Sequence, residues 1–178
     1  IRKSLENATK TQTIDALQYL SIIEPGASSR LLQPTLYDFL CARAIEAMTI
    51  FCSNEESDDR ALKSEALFNK AELFINQNDT AQYRKALILQ IYRRWLSFRI
   101  KNDNKDAQLN IDLDRIQFVY DNSELKNKDE LYLTVLEQLK NEYAKRECVI
   151  DVIARHANYY REHDEYDSQR PDKTFRFK

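Results

Sequence analysis

At 178 residues the chain is long enough to bury a core without disulfides or metals, yet it holds one glycine and three prolines, where average usage gives roughly a dozen and about nine. That scarcity argues against glycine-dependent β-hairpins and phosphate loops, and points to an all-α fold of helices joined by short polar loops. The 27 basic and 29 acidic side chains nearly cancel, to a formal net charge of -2, so no global bias toward nucleic acid or an anionic membrane is present, and no apolar run reaches 18 residues.

In chain order, residues 2–23 carry Leu5, Ala8, Ile14, Leu17 and Leu20, an amphipathic pattern with a break around Thr9–Thr13, read as one or two helices. The cluster at 24–29, Glu-Pro-Gly-Ala-Ser-Ser, is a loop and the best internal boundary. Thr35 is placed to cap a helix while Asp38, three residues on, answers its backbone N–H. That helix is expected to run to Cys52 with Leu36, Phe39, Leu40, Met48, Phe51 and Cys52, and Ala44 and Ala47 between them, on its apolar face. After the acidic run 54–59, Leu62, Ala66, Leu67, Leu73 and Phe74 mark a shorter helix, ended by the polar turn 76–80. The strongest pattern lies in 80–101, where Tyr83, Leu87, Ile91, Trp95 and Phe98 fall at steps of three or four and predict the central core helix. Helices follow over 105–120 and 128–143, the latter with Val135, Leu136, Leu139 and Tyr143 inward. The last helix spans 147–162 with Val149, Ile150, Val152, Ile153, Ala157 and Tyr160 inward, and 167–178 is an extended tail. Such a series packs as antiparallel helical hairpins, in a bundle or a short α-α superhelix. The expected layout is an N-terminal helical segment with its loop over 1–29, a helical-hairpin domain over 30–167, and a tail over 168–178 that leads to the rest of a larger polypeptide. The absence of an initiator methionine at Ile1 is read the same way.

The candidate sites have structural readings that outweigh the chemical ones. Cys41 and Cys52 lie on one helix eleven residues apart, about 16 Å, too far to bridge each other, and Cys148 could pair with one of them only if the fold brings it there; the three are read as buried free thiols. His156 and His163 are seven residues apart and lack a helical His at i+4 or a Cys pair, so they are read as solvated and not as metal ligands. Asp112, Asp114 and Asp121 have no nearby glycine for a calcium loop and are read as a solvated face. Arg84, Lys85, Arg93, Arg94, Arg99 and Lys101 interleave with Tyr92, Trp95 and Phe98 in the manner of a single-strand-binding surface, but helical spacing sends the aromatic rings to the core and the basic stems to its edges. Neither catalytic, cofactor nor metal residues are assigned, and no enzyme is expected.

Residues 129–167, with Leu136, Leu139, Tyr143, Ala154, Ala157 and Tyr159-Tyr160, resemble a degenerate tetratricopeptide-type hairpin without its turn glycine. Three further blocks are Pro34–Leu40 with Arg43-Ala44, Asp112–Tyr120 with Asn122-Ser123, and Asn127–Leu133. Together they resemble the helical N-terminal region of the large alpha-2-macroglobulin-like proteins of Bacteroidetes, over about residues 30–178. The resemblance implies an exported, cell-envelope or periplasmic parent with a protease-trapping theme. It also implies a scaffold or protein-interaction role whose partners are other domains of the same polypeptide or another protein. None of Cys41, Cys52 and Cys148 sits in a thioester motif, so any reactive chemistry of the parent lies elsewhere. A ligand-binding or self-associating helical bundle is the alternative.

Overall fold

The computed structural model describes residues 8–19, 21–22, 29–52, 61–77 and 83–163. Five long helices dominate: α1 (Leu36–Cys52), α2 (Arg84–Lys101), α3 (Lys105–Asp121), α4 (Lys128–Glu142) and α5 (Val149–His163). One-turn helices at Ala8–Thr11, Ser29–Leu32 and Ala71–Phe74 and 3-10 turns at Ala16–Tyr19 and Glu65–Phe68 fill the intervals. Among the described residues there are two isolated β-bridges and no strand, so the protein is all-α. The acidic run 54–59, most of the loop 24–29, the turn at 78–80 and the tail 167–178 lie outside the described residues, as does the Cys52 side chain.

The chain divides into two compact units, Ile1–Val135 and Leu136–Lys178, with the division inside α4. In the first, α2 is the central element and packs against both α1 and α3. Ile88, Leu89 and Leu96 of α2 and Ile111, Ile116 and Val119 of α3 are fully enclosed. The connection between these two helices shows how the chain manages without glycine. Asp103, at φ 50, takes the left-handed position that glycine usually fills. Its N–H donates to Ile100 O at 3.3 Å and Asn104 N–H to Arg99 O at 3.3 Å, the paired bonds of a Schellman cap. Asn104 then caps α3, its Oδ1 accepting from Ala107 N–H at 3.1 Å.

Three segments depart from the periodic reading. The helix expected over 62–74 is broken at Lys70, whose ψ of 153 is extended, into a 3-10 turn and a single helical turn. Leu62 is instead pinned outside any helix, its N–H donating to Asn122 O at 2.9 Å and its carbonyl accepting from Ser123 Oγ at 3.2 Å. On α1 Ala44 is buried as expected, but the rest of the buried stripe is Tyr37, Asp38 and Cys41, while Leu36, Phe39, Leu40 and Met48 are only half-buried. Asp38 belongs to that stripe because Trp95 and Arg99 of α2 donate to it.

In the second unit Leu136, Leu139, Tyr143 and Val152 form the interior. The inward face predicted for α5 is corrected: only Val152 is buried, while Ile150 is 66% and Tyr160 54% exposed. Among the described residues the unit supplies one partner helix segment, from the end of α4, and one neighbour covers one stripe of a helix rather than a wide face.

Candidate functional site

The chemistry-bearing side chains of the first unit gather around α2. At its inner face Asp38 is fully buried and makes a brace between α1 and α2. The local sequence sets it up as a capping box: Thr35 N–H donates to Asp38 Oδ2 at 2.8 Å and Asp38 N–H to Thr35 Oγ1 at 3.3 Å. Across the core, Trp95 Nε1 donates to Asp38 Oδ1 at 2.7 Å and Arg99 Nε to the same atom at 2.8 Å. Arg99 Nη2 closes the pair on Asp38 Oδ2. The bonds that the carboxylate accepts are charge-assisted, and the Arg99 guanidinium balances its charge inside the core.

A second brace joins α3 to the 61–77 segment. Arg115, with no exposed surface, donates from Nε to Asp112 Oδ1 at 2.9 Å and from Nη2 to Asn69 O at 2.9 Å, while Nη1 reaches Leu67 O. Its guanidinium lies 4.4 Å from the centroid of Phe74, and that of Arg93 lies 5.1 Å from the same ring. Asp112 is therefore corrected from a solvated residue to a buried one, because Arg115 one turn away takes its charge inward. Arg93 and Arg99 are likewise buried rather than laid over the core's edge, whereas Tyr92, Trp95 and Phe98 point inward as their spacing implies.

Next to the first brace, Cys41 is buried and free. Burial pushes its thiol up to about 12, a rise that the hydrogen bond with Tyr37 partly offsets. Burial also raises the Tyr37 hydroxyl, and the Arg94 guanidinium opposes that rise. Cys148, expected to be buried, is outside any disulfide and at intermediate exposure. His163 is exposed and stacks on Tyr159 at 4.1 Å between ring centroids. Among the described residues no group of three or more His, Cys, Asp or Glu converges on a metal position. No helix among them is long and apolar enough to cross a membrane.

Beside α2, at the edge of the core, an open cleft of about 400 Å³ runs along Tyr37 and Phe98, whose rings meet edge to face at 5.3 Å. Arg93, Arg94, Ser97 and Lys101 line one side, and Ala8, Gln12 and Ile75 close the others. The one-turn helix Ala8–Thr11 is held against α1 with help from the Asp15–Thr35 bridge, in which Leu36 N–H donates to Ile14 O at 2.8 Å. Sequence reasoning misses this cleft, since it joins residues from four separate segments. The only local signal is the i, i+3, i+4, i+7 ladder of Arg94, Ser97, Phe98 and Lys101. Comparison of the chain with protein-family models, with curated proteins and with solved structures finds no match.

Proposed function

We propose that the chain is a non-catalytic helical scaffold and protein-interaction module, with hairpins paired in a tetratricopeptide-like way, on the N-terminal side of a larger exported alpha-2-macroglobulin-like protein. The observation that carries this reading is where the family-like blocks fall. Thr35 and Asp38, of the first block, form the α1–α2 brace. Asp112 and Arg115, of the second, form the brace to the 61–77 segment, and Ser123 anchors Leu62. In the third, Asp129 accepts from Tyr120 Oη at 2.6 Å, and Tyr132 Oη donates to Gln117 at 2.6 Å. The residues behind the resemblance thus maintain architecture, as expected where relatives share a frame and not a chemistry.

The buried acids point the same way. A general acid or base must reach a substrate proton, and Asp38 and Asp112 are turned onto buried arginines instead. A stand-alone ligand-binding bundle would enclose its ligand between facing helices, and the cleft beside α2 is open to solvent.

The test is cross-linking of the native polypeptide in fractionated cells, read by mass spectrometry. The expected result is envelope fractionation, with cross-links from this chain's lysines to β-sandwich sequences of the same polypeptide or to a second protein. Fractionation with the cytoplasm, or a native polypeptide in which no β-sandwich-like strands follow Lys178, overturns the reading.

A further inference from the structure

The cleft beside α2 is lined by basic side chains. The whole chain is slightly acidic, yet of the nine described residues that line the cleft three, Arg93, Arg94 and Lys101, are cationic and none is acidic. Arg94 and Lys101 are exposed and enter none of the ion pairs among the described residues. Seven residues separate them on one helix, so they stand about 10 Å apart along its axis on the same face. The Tyr37 and Phe98 rings line the same cleft and present to it the 3% and 9% of their residues' surface that stays exposed. Their charges are thus held ready on a rigid helix, at the mouth of a recess that excludes part of the surrounding water and concentrates the field.

From this geometry we infer that the cleft is the docking site for an acidic peptide segment of a partner protein or domain, with two carboxylates flanking an apolar side chain. The carboxylates pair with Arg94 and Lys101, and the apolar side chain sits on Tyr37 and Phe98. Arginine receives a carboxylate through two parallel N–H donors, whereas lysine acts as a point charge, so Arg94 fixes orientation and Lys101 adds attraction. Occupation by a protein segment rests on the scaffold reading above; the charge pattern of the cleft does not.

The probe is an end-blocked hexapeptide with two glutamates flanking a leucine–phenylalanine pair, titrated into the full chain and followed by amide NMR shifts. Its glutamine counterpart and inorganic phosphate are run alongside. Expected are shifts confined to the cleft residues, an affinity on the order of 0.1 mM at low salt that weakens as ionic strength rises, and at least about tenfold weaker binding of the glutamine peptide. Arg94→Glu/Lys101→Glu abolishes the shifts with an unchanged melting temperature, and Arg94→Gln/Lys101→Gln does the same should charge reversal impair folding. Equal binding of the two peptides, no binding of either, or undiminished binding by the neutral double variant overturns the inference. Phosphate binding as tightly as the peptide at the same residues marks a small-anion site and overturns it too. These outcomes separate from the cross-linking test: envelope cross-links with no peptide binding defeat this inference alone, and peptide binding by a cytoplasmic protein defeats the scaffold reading alone.

Discussion

At the residue scale, Asp38 shows how much rests on one buried charge. It holds Trp95 and Arg99 from across the core, 57 and 61 residues away in sequence. Asp38→Ala leaves the Arg99 guanidinium buried without its counter-charge, and a broken buried pair costs about 3–5 kcal/mol. In urea unfolding, Asp38→Ala/Arg99→Met is expected to lose clearly less than the sum of the two single variants; strict additivity would mean that the pair is not coupled. Cys41 gives a second expectation. In a Cys52→Ser background the native protein should expose only Cys148 to a thiol reagent, with Cys41 labelled at the rate of unfolding. Its raised pKa also has a signed consequence. Between 9 and about 12 the unfolded chain has lost the thiol proton that the folded chain keeps. Stability therefore falls as pH climbs through that window, with no contribution from this group below it. A Cys41→Ala variant should show a shallower decline there, and an unaltered slope would assign the effect to other groups.

At the element scale, the caps were readable and the break was not. Thr35 and Asp38 announce the start of α1 by their spacing, and the structure forms the reciprocal bonds. Nothing local announces that 62–74 is interrupted, because Arg115, 46 residues beyond Asn69, takes that segment's carbonyls. Arg115→Met is expected to remove amide-exchange protection from Leu73 to Ile75, while α2 and α3 keep most of theirs; uniform loss would make Arg115 a general core residue rather than a local pin. Asp103 offers the opposite sign. A non-glycine residue at a left-handed cap carries a steric cost, so Asp103→Gly should stabilise the protein by about 0.5–1 kcal/mol despite the added unfolded-state entropy. Thermal unfolding decides it, and a lower melting temperature would show that the Asp103 side chain contributes more than its backbone costs.

At the scale of the whole molecule, the two compact units differ in how much they bury. Most of the enclosed side chains belong to α2 and α3, whereas α5 buries Val152 alone. Amides of α2 and α3 are therefore expected to exchange only through global unfolding, and those of α5 roughly 100-fold faster or more. Equal protection in hydrogen exchange would place more of α5 in a packed interior than its exposed Ile150 and Ile153 indicate. By itself the sequence determined that the protein is all-α, where α2, α3 and α4 run, which residue caps α1, and that Tyr92, Trp95 and Phe98 face the core. These follow from glycine scarcity, from hydrophobic period and from cap spacing, all short-range properties of a chain that rises 1.5 Å per residue. Only the tertiary structure decided which charges go inside and which stay exposed. Asp38 and Arg99, or Arg115 and the carbonyls of Leu67 and Asn69, meet because helices distant in sequence pack together. A periodic pattern states which face is apolar, and it carries no record of which distant helix will cover that face.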